Sequence, residues 1–205
     1  MFPTAFGLAH CNRKNTIPLM NDGERGDFLK EALTFSAVAL LIVLPIRLFV
    51  AQPFVVSGAS MDPTFHDGEY LIVDELSYHT GDPSRGDVVI FRYPKDPSKY
   101  FIKRVIGLPG ETVRVRDDSV SVTDTAGKDV DLSEAYVVNH GNGNDEDITL
   151  PSGEYFVMGD NRPASSDSRF WGTVPRENFI GRALLRLLPF SRIGTSPGSI
   201  ASFSN

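Results

Sequence analysis

The stretch "YFIKRVIGL", from Tyr100 to Leu108, has the composition and the alternation of a β-strand. Most of its residues are aromatic or β-branched, and these side chains pack well on a pleated sheet. Successive side chains of a strand point to opposite faces, so Phe101, Lys103 and Val105 share one face while Arg104 lies on the other. One of the two basic side chains is therefore expected to lie among apolar neighbours.

Five further runs have the same character on either side of this strand. They are "EYLIVDEL" (69–76), "DVVIFRYP" (87–94), "ETVRVRDD" (111–118), "EYFVMGD" (154–160) and "RALLRLL" (182–188). Turn signals such as "HDGE", "LPGE" and "PSGE" separate the runs. No long amphipathic helix follows residue 52 and no segment repeats. The sequence predicts a mainly β domain.

Composition narrows the possible partners. The chain has 205 residues, a length that suffices for one domain with an appendage. Its formal net charge is −6. No basic block is present to neutralise phosphates, so we expect no nucleic-acid partner. The single cysteine, Cys11, allows neither an internal disulfide nor a cysteine-based metal cluster.

The most apolar segment is "ALTFSAVALLIVLPI" (32–46), which carries no charge. Its 15 residues fall short of the roughly 20 that a membrane span requires. If Arg47 reaches the headgroups, a helix over 32–51 is long enough for a transmembrane anchor, preceded by a disordered cytoplasmic tail over 1–31. The alternatives are a buried core helix, which fits poorly because no polar stripe is present, and a cleavable export signal, which lacks a small-residue junction.

A small, hydroxyl-rich turn, "VVSGASMDPTF" (55–65), follows directly. Ser60 in this turn needs a base within hydrogen-bonding reach if it is to act as a nucleophile. The four histidines lie in the tail or in polar turns, where solvated side chains are the simpler interpretation. Lys103 is the remaining strong base, because burial among apolar neighbours lowers the pKa of an amine. The alternative is that Lys103 is an exposed lysine at a strand edge.

A third stretch, "MGDNRPASSDSRFWG" (158–172), is dense in charged and hydroxyl side chains. Its two aspartates and two arginines can pair in charge-assisted hydrogen bonds that fix a long loop. Its serines offer hydroxyls that can hold a lysine amine in one orientation. The simpler interpretation is a solvated loop anchored by a buried Trp171.

Together, "SGASMDPT", "GDVVIFRYP", "YFIKRVIGLPGE" and "MGDNRPASSDSRFWGTVP" resemble the sequence boxes of type I signal peptidases, which are membrane-bound bacterial serine proteases. The boxes occur in the family's order, and the match covers roughly residues 35–188, including the apolar segment. The last box is the most specific of the four.

The resemblance implies a role for each matching residue. Ser60 would be the nucleophile, its backbone N–H the oxyanion donor, Lys103 the general base and Ser165 the side chain that orients the lysine. Some members carry a serine that donates to the oxyanion where this chain has Gly58, and a contribution from Ser57 stays open. The residues implied to support the site are Asp160, Asn161, Arg162, Asp167 and Arg169, and those implied to line the substrate pocket are Phe54, Val56, Met61, Phe101 and Ile102.

The resemblance also implies a setting. It implies a single transmembrane helix followed in the chain by a catalytic β domain (52–205). This domain would lie on the extracytoplasmic side of the bacterial cytoplasmic membrane, and the lipid bilayer would be a partner. The substrates would be exported preproteins with small residues at positions −1 and −3, cut without metal or cofactor. The alternatives are a Ser–Lys autoprotease of the repressor type and a non-catalytic, membrane-tethered β module. The loop 139–148 and the end of the chain from Ser191 have no assigned role.

Overall fold

The computed structural model describes residues 22–49, 51–116, 119–140 and 145–200. Helix α1 spans Asp22–Phe49, so it begins ten residues before the predicted position 32, and this part of the predicted disordered tail is helical. Residues 1–21 of the predicted tail lie outside the described residues.

Large apolar side chains of α1 are exposed, among them Leu33, Phe35 and Leu41. Within the described ranges, no helix is both long enough and apolar enough to cross a membrane.

The rest of the described chain is mainly β, as predicted, and forms two antiparallel sheets. The larger sheet contains, in spatial order, β1 (Ala51–Val55), β2 (Tyr70–Asp74), β11 (Phe179–Leu188), β3 (Val88–Tyr93), β4 (Asp96–Gly107), β9 (Glu154–Met158) and β10 (Val174–Pro175), with β12 (Gly194–Thr195) paired to β11. The smaller sheet contains β7 (Asp129–Asp131), β6 (Ser119–Thr123), β5 (Thr112–Arg116) and β8 (Glu146–Thr149). Two short helices, α2 (Leu76–Thr80) and α3 (Ser168–Trp171), complete these elements.

All six predicted strands are present, with ends that differ by a few residues. The strands β1, β6, β7, β8, β10 and β12 were not predicted, because they are short or rich in polar residues. Strand β8 begins inside the acidic loop 139–148 that had no assigned role.

The site-bearing strand β4 pairs with β3 on one side, where Lys103 lies opposite Val89, and with β9 on the other, where Arg104 lies opposite Met158. One apolar cluster, which includes Phe91, Val105 and Trp171, packs near this strand. A second cluster fills the space beneath the turn that follows β1. The two clusters fix β4 and the turn relative to each other, since close packing allows little independent movement.

Candidate active site

The turn between β1 and β2 carries Ser60. Gly58 has a φ of +87°, a conformation that glycine adopts readily, and its N–H donates to Asp67 Oδ1 over 2.7 Å. Met61 and Phe65 are fully buried beneath the turn. The turn is therefore held by buried apolar side chains from below, and Ser60 stays partly exposed on top.

The side chain of Lys103 is hydrogen-bonded to the side chain of Ser60. Its Nζ lies 2.7 Å from Ser60 Oγ and also donates to the Ile102 carbonyl over 2.9 Å. The Lys103 side chain is 4% exposed, with its Nζ 5.4 Å from the centre of the Phe101 ring. The alternative of an exposed edge lysine is therefore wrong.

Burial lowers the pKa of Lys103 from 10.5 to about 8. Removal from water disfavours the charged ammonium and is the largest cause, while the carboxylates of Asp167 and Asp160 act in the opposite direction. A pKa near 8 leaves a useful fraction of the amine neutral at ordinary pH, as a general base requires.

Asp160 pairs with Arg104 rather than with an arginine of its own loop. The two carboxylate oxygens of Asp160 accept from Arg104 Nε over 2.9 Å and from Nη2 over 2.6 Å. Thr64, in the Ser60 turn, also donates to Asp160. Arg104 is fully buried, and Asp160 thus joins three parts of the chain that lie far apart in sequence.

The other charged pairs stiffen the loop 158–172. Asp167 forms a two-point pair with Arg169, over 2.8 and 2.9 Å, and accepts the Gly159 N–H over 3.0 Å. Arg162 does not pair with an aspartate of this loop but with Glu134, which the sequence analysis missed. The alternation along β4 predicted that one of its two basic side chains would be buried, and a buried arginine requires a carboxylate or other acceptors.

Asn161 fixes the orientation of the nucleophile turn. Its N–H donates to the Ser60 carbonyl over 3.0 Å, and its side-chain amide donates to the Ala59 carbonyl, also over 3.0 Å. With both carbonyls held, the backbone N–H of Ser60 donates to no acceptor among the described residues. That N–H is available to a negatively charged oxygen at the site.

Ser165 lies beside the pair without a hydrogen bond to Lys103. Its side chain is buried, and its Oγ has no partner in the described part of the chain. A Cβ built on Gly159 would collide with Ser165 and would lie 2.5 Å from the Ser60 carbonyl oxygen. Ser165 and Ser60 thus approach the same glycine, and the lysine-orienting role of Ser165 stays a prediction.

A cleft of about 290 Å³ opens above the pair. Of the predicted pocket residues, Phe54, Val56, Phe101 and Ile102 line it. Met61 does not, because its side chain points into the core beneath the turn. The cleft also has lining residues that the sequence analysis did not name: Leu71, Ile90, Tyr100, Ala164 and Ser166.

The described histidines take no part in the pair. His66 is exposed and pairs with Asp62, and His79 caps a carbonyl on α2. In the residues that can be described, no group of three or more His, Cys, Asp or Glu side chains could hold a metal ion.

The site has a serine hydroxyl hydrogen-bonded to a buried amine, and an apolar cleft lies above this pair. A serine hydrolase with a lysine base requires this arrangement. The family model described as "Signal peptidase, peptidase S26" matches residues 29–188. The chain therefore belongs to the signal peptidase family, and it is a peptidase.

Two relatives and one solved structure are among the proteins to which this chain is similar. A probable signal peptidase I from Synechocystis sp. is 40% identical over 174 residues, which cover 82% of this chain and 86% of that protein. A signal peptidase I from Leptolyngbya laminosa is 38% identical over 81% of this chain and 83% of that protein. A crystal structure of a signal peptidase I from Enterococcus faecalis has 37% identity and a TM-score of 0.42, over 50% of this chain and 97% of that one.

Proposed function

We propose that Ser60 and Lys103 carry the reaction by which this enzyme removes N-terminal signal peptides from exported preproteins. The observation that carries the proposal is the distance of 2.7 Å between Lys103 Nζ and Ser60 Oγ in a buried setting. A serine is a weak nucleophile unless a base takes its proton, and Lys103 is the only base in contact with the Ser60 hydroxyl within the described ranges.

The reaction begins with neutral Lys103. Its nitrogen accepts the Ser60 hydroxyl proton while Oγ attacks the scissile carbonyl carbon. The resulting oxyanion accepts a hydrogen bond from the Ser60 backbone N–H, a type of interaction whose loss costs about 3–4 kcal/mol in comparable sites. The Lys103 ammonium then gives its proton to the departing amine, leaving an acyl-enzyme on Ser60. A water that Lys103 deprotonates hydrolyses the ester and restores both side chains.

Two neighbours support these steps. Asn161 holds the carbonyls of Ala59 and Ser60, so the Ser60 N–H keeps its direction while charge develops. Ser165, whose buried Oγ is without a partner in the described chain, would accept a hydrogen bond from the Lys103 amine. Asp167 and Arg169 hold the loop that carries Ser165.

The substrate would lie extended along the cleft. Among the described strands, β1 pairs only with β2, and β4 pairs with β9 only over Arg104–Gly107. Both strands therefore have backbone groups that no other described strand uses and that can bind a peptide. Phe54 and Tyr100, whose rings lie 5.7 Å apart edge to face, narrow the cleft. Such a cleft selects small residues at positions −1 and −3, because larger side chains would displace its apolar walls.

The bilayer is the expected partner of the apolar surfaces. The uncharged segment within 32–51 would anchor the chain in the bacterial cytoplasmic membrane, with the catalytic domain (52–205) on the extracytoplasmic side. Exposed apolar side chains, such as those of Leu33, Phe35 and Leu41 on α1, support contact with lipid. On the catalytic domain they include Leu187, Phe190 and Ile193. An anchored enzyme meets its substrate at a raised effective concentration, because the bond to be cut emerges from the same membrane.

The test is cleavage of a preprotein with an Ala-x-Ala site by detergent-solubilised enzyme. We expect the parent and Lys99→Ala to release the signal peptide, because Lys99 is an exposed lysine on the same strand. We expect Ser60→Ala and Lys103→Ala to release none above background. Product from either of these variants at the parent rate would refute the assigned roles.

A further inference from the structure

The part of the chain after β11 returns to the nucleophile turn. We call residues 192–199 the return segment. Strand β12 pairs with β11, and the Ser196 N–H donates to the Leu184 carbonyl over 2.7 Å. The chain then reverses at Gly198, which has a φ of +78°.

Gly198 completes the hydrogen bonding of a buried charge. Its carbonyl accepts from Arg104 Nη1 over 2.6 Å, and the Gly86 carbonyl accepts from the same nitrogen over 2.9 Å. The other side of the guanidinium binds Asp160. Arg104 is fully buried, so a lost acceptor would leave an N–H of a charged group unpaired away from water. Arg104 directly follows the catalytic lysine along β4.

Gly198 also packs against the nucleophile turn. A Cβ built on Gly198 would lie 2.8 Å from Thr64 Cγ2 and 3.0 Å from Phe65 Cε2. Thr64 donates through Oγ1 to Asp160 Oδ2. Gly198 is therefore in contact with both ends of the link that runs from Arg104 through Asp160 to the Ser60 turn.

Two arginines add a second attachment. Arg186, on β11, donates to the Thr64 carbonyl over 2.6 Å, and Arg192 donates to the carbonyls of Pro63 and Thr64 over 3.2 and 3.3 Å. The nearest nitrogens of both arginines lie within 2.9 Å of the buried Glu69 carboxylate, close enough for ion pairing although these contacts lack hydrogen-bond alignment. Residues that come late in the chain, Arg186 and Arg192, thus bind the turn that follows Ser60 at several points.

We propose that Gly198, in the return segment, is a positioning residue of the catalytic site that keeps the Lys103 strand and the Ser60 turn in register. The inference rests on the proposed roles of Ser60 and Lys103. Gly198 is absent from the lining of the cleft, so it acts on the rate of the chemical step and not on substrate binding.

The test compares two identical substitutions in one segment. Gly198→Ala adds a methyl group against Thr64 at a φ that suits glycine, whereas at Gly194 a Cβ would meet nothing within 4 Å. We expect Gly198→Ala to lower kcat about ten-fold or more with KM within about two-fold, since a displacement near 1 Å can cost on the order of a hundred-fold in rate. We expect Gly194→Ala to stay within about two-fold of the parent in both constants.

Thermal unfolding of each variant separates positioning from loss of fold. A rate loss in Gly198→Ala that persists well below its unfolding midpoint supports the proposal, and a loss that disappears on cooling, or a parent-like kcat, overturns it. If Gly198→Ala does not fold, Thr64→Val decides, because it keeps the shape of the side chain and removes only the hydroxyl bonded to Asp160. A lowered kcat with unchanged KM supports the proposal, and an unchanged kcat overturns it. An inactive parent, or an active Ser60→Ala, would instead refute the proposed function.

Discussion

The buried amine of Lys103 destabilises the folded protein at neutral pH, and methionine at this position should remove the cost. Burial lowers the pKa from 10.5 in the unfolded chain to about 8 in the folded one. Below about 8 both states hold the proton, and the folded state bears the full cost of the buried ammonium. Between about 8 and 10.5 the unfolded state binds more protons, so stability rises with pH across this window.

The size of the effect follows from the two pKa values. Each pKa unit corresponds to about 1.4 kcal/mol, so the cost below the window is roughly 3 kcal/mol. From about pH 7 to about pH 9, the linkage relation gives the parent a gain of about 1 kcal/mol. Lys103→Met keeps an unbranched side chain and has no proton to exchange. We expect it to be more stable than the parent near pH 7, and this advantage to shrink by about 1 kcal/mol by pH 9.

Urea unfolding followed by circular dichroism measures both proteins at both pH values. Titrations of all other groups are common to the two proteins and cancel in the difference. Lys99→Met, at an exposed position on the same strand, serves as the matched control, and its difference from the parent should not change with pH. A constant difference between the parent and Lys103→Met would refute the assignment of a lowered pKa to the buried amine.

Three further substitutions test the neighbours of the pair. Gly159→Ala places a methyl group against Ser165 and 2.5 Å from the Ser60 carbonyl oxygen. Steady-state kinetics should therefore show kcat lowered at least about ten-fold. A parent-like kcat would contradict the close approach. Ser165→Ala removes a buried hydroxyl without a partner in the described chain. Urea unfolding should therefore give an unchanged or higher free energy of unfolding, while kcat falls. A drop in both the free energy of unfolding and kcat would argue for a merely structural role. Asp167→Asn leaves Arg169 without its buried counter-charge. Urea unfolding should show the free energy of unfolding lowered by about 3 kcal/mol. A change near zero would mean that the pair is solvated.

Much of the β fold could be read from the sequence, because its long strands are aromatic and β-branched. The pattern failed where a strand is short or polar, as at β8 (Glu146–Thr149). It also failed at the start of α1, where charged residues precede the apolar segment and the predicted tail is helical from Asp22. In these places the pattern of apolar residues carries little information about backbone hydrogen bonds.

The candidate site was predictable as a set of residues but not as a set of contacts. The alternation along β4 predicted one basic residue among apolar neighbours, whereas both Lys103 and Arg104 are buried in the structure. The partners of the charged side chains depend on tertiary packing, so the pairing of Asp160 with Arg104 and of Arg162 with Glu134 could not be assigned from spacing. Met61 was assigned to the pocket by resemblance, but it lies in the core because it anchors the turn from below.

The pH dependence of kcat/KM for cleavage of a peptide substrate tests the central claim, that neutral Lys103 accepts the proton of Ser60. Because burial lowers the pKa of Lys103 to about 8, kcat/KM should fall about ten-fold for each pH unit well below that value and level off above it. A rate that stays constant between about pH 6 and pH 9, measured on enzyme that remains folded, would contradict the account.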